Sequence, residues 1–286
     1  MAKNKCDTTS KVYIGINLQI MPPNYVSVQI TDGLGNRFFQ VAAMLGYAAH
    51  HGHMPVFIEE WVKPNSHPGP HTIYDYFPDV PRLSESELAS LSWTTLKEDA
   101  ADVFTYKELP RIEGHVKLHG YFQSWKYAPP KGIPCPVLLS TTPMLYTNSI
   151  FLHVRRGDYL SPWTAHHCVD LQDYYRRALQ CALAHNDSGT TIVVCSDDIA
   201  WCMEELPRMY KDIVAAHQWA FLRGVDDTTT LAVMTHCERG AVTANSTFSW
   251  WGAYFSRAEL KFFPAVWGRP PLPPPTDLYP PDAIIL

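Results

Sequence analysis

Short apolar runs alternate with longer mixed segments along most of this 286-residue chain. Val26-Ser27-Val28-Gln29-Ile30 has the period of a half-buried strand. The glycine-rich Asp32-Gly33-Leu34-Gly35-Asn36 then leads into a helical pattern from Arg37 to Met44, and Met54 to Ile58 returns as a strand. A β-loop-α-β unit therefore opens the chain. The stretch to about Pro110 is less regular, with Ser84 placed to cap a helix from Glu85 to Leu91. His115 to Gly120 reads as another strand, and the proline-rich Pro129 to Pro136 breaks regular structure.

Beyond that break the alternation is regular. It predicts a strand to Arg155, a helix over 171–185, a strand over 191–195 and a short helix over 199–206. A strand over 218–222, a helix over 228–237, a strand over 241–244, a helix over 247–256 and a strand over 260–263 follow. Strands separated by helices specify a doubly wound parallel sheet, whose ligands bind beyond the carboxyl ends of the strands. The length suits two domains, placed at 1–136 and 137–286, and the proline-rich 268–280 reads as an extended surface segment.

Composition narrows the classes. The hydrophobic share is 46% and the net charge is -5, which excludes a nucleic-acid protein working through a broad basic surface. Seven scattered cysteines without a C-x-x-C pair read as reduced thiols. The N-terminus carries lysines but no signal-type apolar core, and no apolar run reaches bilayer length. The expected location is the cytoplasm, or the Golgi lumen only if an N-terminal anchor has been removed.

Three strand ends are unusually polar: His153-Val154-Arg155-Arg156-Gly157-Asp158-Tyr159, Ser196-Asp197-Asp198, and Asn245-Ser246-Thr247-Phe248. Strand alternation puts His153 and Arg155 on one face and Val154 and Arg156 on the other. Arg155 suits bidentate contact with a phosphate, and a helix opening at Asn245 to Thr247 presents backbone N–H groups that attract an anion. Plainer readings stand beside these: an Arg–Asp158 ion pair tying down a turn, helix caps at Asp197-Asp198 and Asn245 to Thr247, and core packing for Trp250 and Trp251. A tight turn at Gly33 and Gly35 and an internally satisfied His153 belong with them.

The order of these motifs resembles glycosyltransferase family 11, the α-1,2-fucosyltransferases. HVRRGDY (153–159), SDDIAWC (196–202) and NSTFSWWGAYF (245–255) carry the likeness, and DGLGNRFFQVAA (32–43) and GYFQSWKY (120–127) resemble the family's N-terminal elements. Asp32 stands where the family has a first glycine, and Arg37 where it has glutamine. The resemblance implies an α/β fold of GT-B type, with two Rossmann-like domains and a cleft between them. It further implies an inverting, metal-independent transferase with no cofactor, moving fucose from GDP-β-L-fucose to a hydroxyl of a glycan acceptor.

Carried over, His153, Arg155, Arg156, Asp197, Asp198, Asn245, Ser246, Thr247 and Phe248 face the donor, with Arg155 on its diphosphate. Gly33, Gly35, Asn36 and Arg37 line the acceptor side of the cleft. Arg155 and Asp158 are the catalytic candidates, and Asp32, His166 and His167 are further candidates for the base. The chemistry agrees: negative charge builds on the departing diphosphate, so stabilisation is aimed there, and a phosphate leaving group needs no protonation. A fucosyltransferase of another linkage and a silent GDP-sugar- or glycan-binding module are the rival readings. A metal-dependent enzyme fits less well, because Asp197-Asp198 and Asp226-Asp227 are adjacent pairs rather than an aspartate-x-aspartate site.

Overall fold

The computed structural model describes residues 23–65, 67, 69–134, 146–186 and 189–286. The N-terminal unit runs β1 (Tyr25–Val28), α1 (Leu34–His51), β2 (Met54–Pro55), β3 (Phe57–Ile58), α2 (Ile73–Tyr76), β4 (Arg82–Leu83), β5 (Trp93–Lys97) and β6 (His115–His119). Its main sheet is parallel, in the order β2-β1-β6-β5, while β3 and β4 pair separately.

The C-terminal unit runs β7 (Ser149–Val154), α3 (Gln172–Ala184), β8 (Thr191–Ser196), α4 (Ile199–Met209), α5 (Lys211–Ala216) and β9 (Gln218–Phe221). It continues with α6 (Asp227–His236), β10 (Gly240–Val242), α7 (Thr247–Phe255), β11 (Lys261–Phe263) and β12 (Ala283–Ile285). Its six strands are all parallel, in the order β12-β11-β10-β7-β8-β9. Two parallel α/β units are the architecture expected of a GT-B type.

The central strand β7 is buried along its whole length, because helices cover both faces. Phe151 packs toward α1, α6 and α7, whereas Ile150, Leu152 and Val154 pack toward α3 and α4. That alternation sends His153 and Arg155 to the side of the N-terminal unit and Arg156 to the opposite one.

The two units are not separated throughout by a cleft. Helix α1 is apolar around most of its circumference, and its first turns meet α7. Phe39 lies 4.6 Å from Trp250 and 4.9 Å from Trp251 between ring centroids, and Phe38 lies 5.7 Å from Trp251. Both tryptophans are essentially inaccessible, and Trp250 donates its indole N–H to the Leu278 carbonyl. Truncating a side chain of this size in such a place costs about 3–5 kcal/mol.

Some elements depart from the sequence reading. The helix expected over 85–91 is a succession of turns. Ser84 and Glu87 do exchange capping hydrogen bonds, but the backbone bonds that follow run i to i+3, and Leu88 alone among 85–90 is buried. The expected strand 54–58 is split at Val56 into β2 and β3, which join different sheets. The segment 268–280 is more than a surface strap: Leu278 is buried, the Asp277 carboxylate binds Tyr106 N and Lys126, and Ser124 binds the Asp277 carbonyl. It ties the end of the chain to the N-terminal unit. The expected boundary at 136 lies outside the described residues, as do Cys6 and Cys135; the other five cysteines are free thiols.

Candidate active site

The C-terminal edge of the larger sheet gathers the polar motifs. Just after β7, Arg155 spreads its guanidinium between two carboxylates, with Nη2 2.6 Å from Asp158 and Nη1 3.0 Å from Asp197. His67, from the N-terminal unit, brings Nε2 to 3.3 Å of the same Nη2. Asp227, at the start of α6, also faces this group. Burial raises its carboxyl pKa, and the charges of His67 and Arg155 partly oppose the rise.

Arg156 has a different setting. Its Nε lies 3.1 Å from Asp198, and its guanidinium sits 3.7 Å from the centre of the Trp201 ring. Asp198 also accepts the Trp201 N–H and so caps α4, while Asp197 accepts the backbone N–H of Arg156. The aspartate pair thus does double service, as a helix cap and as counter-charge to both arginines. Four carboxylates, those of residues 158, 197, 198 and 227, surround two guanidiniums, so an arriving diphosphate must exchange with a carboxylate at Arg155. Asp158 is the more exposed of its two partners and the natural one to leave.

Tyr159 closes the back of this loop. It is half-buried, donates to the Asn245 carbonyl at 3.0 Å, and stacks on His167 with centroids 4.9 Å apart. Burial pushes the His167 imidazole down to about 4, so near neutral pH the ring is uncharged. A cavity of about 270 Å³ opens beside the two arginines, lined also by Tyr175, Trp201, Asn245 and Arg269.

Several carried-over positions are occupied by internal work. The Asn245 amide donates to the carbonyls of His167 and Trp267, so its side chain braces two loops instead of facing a donor. Arg37 is 4% exposed and does not line a cleft; its Nε and Nη2 bind the carbonyls of Asp32 and Lys63 at 2.7 and 2.6 Å. Loss of hydration lowers its pKa, yet the two carbonyls satisfy the buried charge.

His153 is fully enclosed 5.8 Å from the Phe248 ring, and desolvation takes its pKa down to about 3. Among the described residues its Nδ1 has no partner. It reaches a ligand only if a neighbour moves. Asn36 holds Gln123 through its side-chain oxygen at 3.0 Å. Ser246 precedes α7 without capping it through its side chain.

Gly33 and Gly35 do different jobs. Gly33 is the N-cap of α1 and its carbonyl accepts the N–H groups of Asn36 and Arg37. Gly35 is required by proximity, because a Cβ there would lie 2.5 Å from Phe248 N and 2.5 Å from the Thr247 carbonyl carbon. The start of α1 is therefore laid directly on the start of α7, the segment expected to attract phosphate. His67, Asp227 and Tyr159 were not expected as site members. Tyr159 adjoins the arginine motif and Asp227 opens a helix next to another aspartate, whereas His67 carries no local signal at all.

Comparison with known proteins gives these groups a context. Residues 143–260 match the model of Glycosyl transferase family 11. An alpha-1,2-colitosyltransferase of Escherichia coli is 31% identical over 118 residues, 40% of this chain and 38% of that protein. The galactoside 2-alpha-L-fucosyltransferase SEC1 of Bos taurus is 32% identical over 107 residues, 37% of this chain and 28% of that protein. The matched region thus spans well under half the length of these relatives. Among solved structures, the fucosyltransferase NodZ from Bradyrhizobium aligns over 82% of this chain and 94% of its own, at 11% identity and a TM-score of 0.47. The segment that resembles glycosyl transferase family 11, residues 143–260, is the one that carries Arg155, the Asp197-Asp198 pair and the start of α7.

Proposed function

We propose that this chain is an inverting fucosyltransferase that moves L-fucose from GDP-β-L-fucose to a glycan hydroxyl, O2 of galactose or a related sugar. The observation that carries this reading is Arg155: a guanidinium at the end of the central strand, within the family-matched segment, beside a cavity and next to a second arginine. The activity of the similar galactoside 2-alpha-L-fucosyltransferase supports the transferred sugar, and that of the alpha-1,2-colitosyltransferase joins it in supporting the linkage.

In this mechanism the donor diphosphate takes the place of Asp158 on Arg155. As the bond from fucose C1 to the β-phosphate oxygen breaks, its electron pair goes to the phosphate, and Arg155 meets the growing charge. Inversion requires the acceptor hydroxyl to approach C1 from the face opposite the departing phosphate, and the Asp158 carboxylate, once released from Arg155, turns to that side and accepts the hydroxyl's proton. Asp197, bound to the Arg156 backbone, holds Arg155 from behind throughout. Arg156, fixed by Asp198 and Trp201, frames the cavity that takes the nucleoside.

The test is GDP release from GDP-fucose in the presence of EDTA, with a panel of galactosides and GDP-mannose as control donor. Acceptor-dependent release from GDP-fucose alone is the expected result. GDP binding without release from any acceptor mixture overturns the transferase reading in favour of a GDP-sugar-binding module.

A further inference from the structure

The edge of the N-terminal sheet carries a second polar constellation, which the donor chemistry leaves unused. Strands β1 and β6 are parallel neighbours, so the segments after them, Asp32 and Tyr121-Phe122, emerge side by side. The Tyr121 hydroxyl donates to Asp32 Oδ2 at 2.6 Å. Both segments hold a residue in the left-handed region, with φ of 63° at Asp32 and 52° at Phe122. Such a conformation is unfavourable for any residue with a side chain, and glycine would adopt it at less cost. An aspartate kept there supplies something glycine does not: a carboxylate.

The surroundings fix that carboxylate. Arg37 grips the Asp32 carbonyl and, through Nη2, the Lys63 carbonyl. Glu98 accepts the N–H groups of Tyr121 and Phe122 at 2.6 and 3.0 Å and so sets the direction of the tyrosine. Glycine 35 of the same loop touches the start of α7, and His67 touches Arg155. Asp32 therefore stands in the loop of the N-terminal unit that abuts the start of α7. Unlike Asp158 and Asp197, it is held by a neutral hydroxyl rather than by a guanidinium, and among the described residues no donor reaches its second oxygen. Tyr121 is 37% exposed beside it, presenting an apolar ring surface. A carboxylate with free lone pairs next to an exposed aromatic ring is the equipment that recognises a neutral sugar: the oxygens accept from hydroxyls, and the ring covers the C–H face.

We infer that Asp32 is a specificity-determining residue for the acceptor, its carboxylate taking hydrogen bonds from hydroxyls of the sugar that receives the transferred group while Tyr121 holds it in place. The inference deepens the transferase reading and rests on it for the word acceptor. The experiment measures KM for acceptor and for GDP-fucose separately in the wild type and in Asp32→Gly, Asp32→Asn and Tyr121→Phe. Saturation-transfer NMR of the same galactosides, with GDP present, accompanies the kinetics. Asp32→Gly keeps its fold, since the backbone conformation suits glycine.

The expected result is an acceptor KM raised about tenfold or more in Asp32→Gly, as loss of a charge-assisted hydrogen bond requires. KM for GDP-fucose stays within about twofold, and Tyr121→Phe moves in the same direction by a few-fold. An unchanged acceptor KM in both Asp32 variants overturns the inference, as does a donor KM that rises equally. If the wild type transfers no fucose yet binds a galactoside that Asp32→Gly no longer binds, the transferase reading fails and the sugar-binding role of Asp32 stands. Equal galactoside binding by the two proteins, or none by the wild type, overturns the Asp32 reading itself.

Discussion

Glu98 stands just after β5, half-buried, with Oε2 accepting from Tyr121 N at 2.6 Å and both oxygens within 3.0 Å of Phe122 N. Desolvation outweighs these hydrogen bonds and lifts its pKa from 4.5 to about 7. The folded state therefore holds a proton that the unfolded chain releases near pH 4.5. Between those values the native state binds more protons, so this group's contribution to stability is complete below pH 4.5 and is lost as pH rises through 7. A gap of about 2.5 pH units, at 1.36 kcal/mol per unit, caps the effect at about 3.4 kcal/mol, of which about 2.5 kcal/mol falls between pH 5 and pH 8. Glu98→Gln copies the protonated form, its carbonyl accepting from Tyr121 N as Oε2 does. The variant should be close to the wild type at pH 5 and more stable at pH 8. Thermal unfolding should show a melting-temperature advantage that grows by roughly 5–10 °C across this range. A gap between the two proteins that does not change with pH, or a Glu98 carboxyl resonance titrating near 4.5, would refute the reasoning.

Three further outcomes are expected. On the proposed mechanism Arg155→Ala should lower fucose transfer by about a hundredfold or more, because the guanidinium would no longer meet the developing charge, while circular dichroism stays native; transfer near the wild-type rate removes Arg155 from the mechanism. Arg156→Ala loses both the Asp198 pair and the Trp201 contact, and urea titration should show a loss of about 1–2 kcal/mol with a smaller effect on turnover than at Arg155. Gly35→Ala drives a methyl group into the backbone of Thr247 and Phe248; a loss of about 1–3 kcal/mol, together with weakened GDP binding by calorimetry, is expected, and unaltered stability would mean that the two helix starts are less closely apposed.

Much of the larger sheet was legible because its strands are buried on both faces and its helices fall between them: β7, β8, α3, α6 and α7 lie within a residue or two of their expected limits. The two-sided reading of Val154-Arg155-Arg156 followed from strand alternation alone. Strand β5 was not foreseen, since Trp93-Thr94-Thr95-Leu96-Lys97 sits at a sheet edge, mostly exposed, and shows no clean period. Arg37 looked like a cleft residue because a motif carries no information about which neighbouring carbonyls will claim a side chain. His67 and Glu98 are read only in three dimensions: each acquires its meaning from a partner, Arg155 or the Tyr121-Phe122 turn, that is distant or featureless in sequence.

The Phe38-Phe39 contact with Trp250-Trp251 sets a limit on modularity. A C-terminal unit expressed by itself would present those tryptophans to water and an isolated N-terminal unit would present the phenylalanines, so each fragment alone is expected to be adhesive. Exchanging one unit with that of a relative must therefore carry the first turns of both α1 and α7 as a matched pair. Rigid-body opening between the units is constrained for the same reason, with the joined helices acting as the fixed pivot of any movement between them.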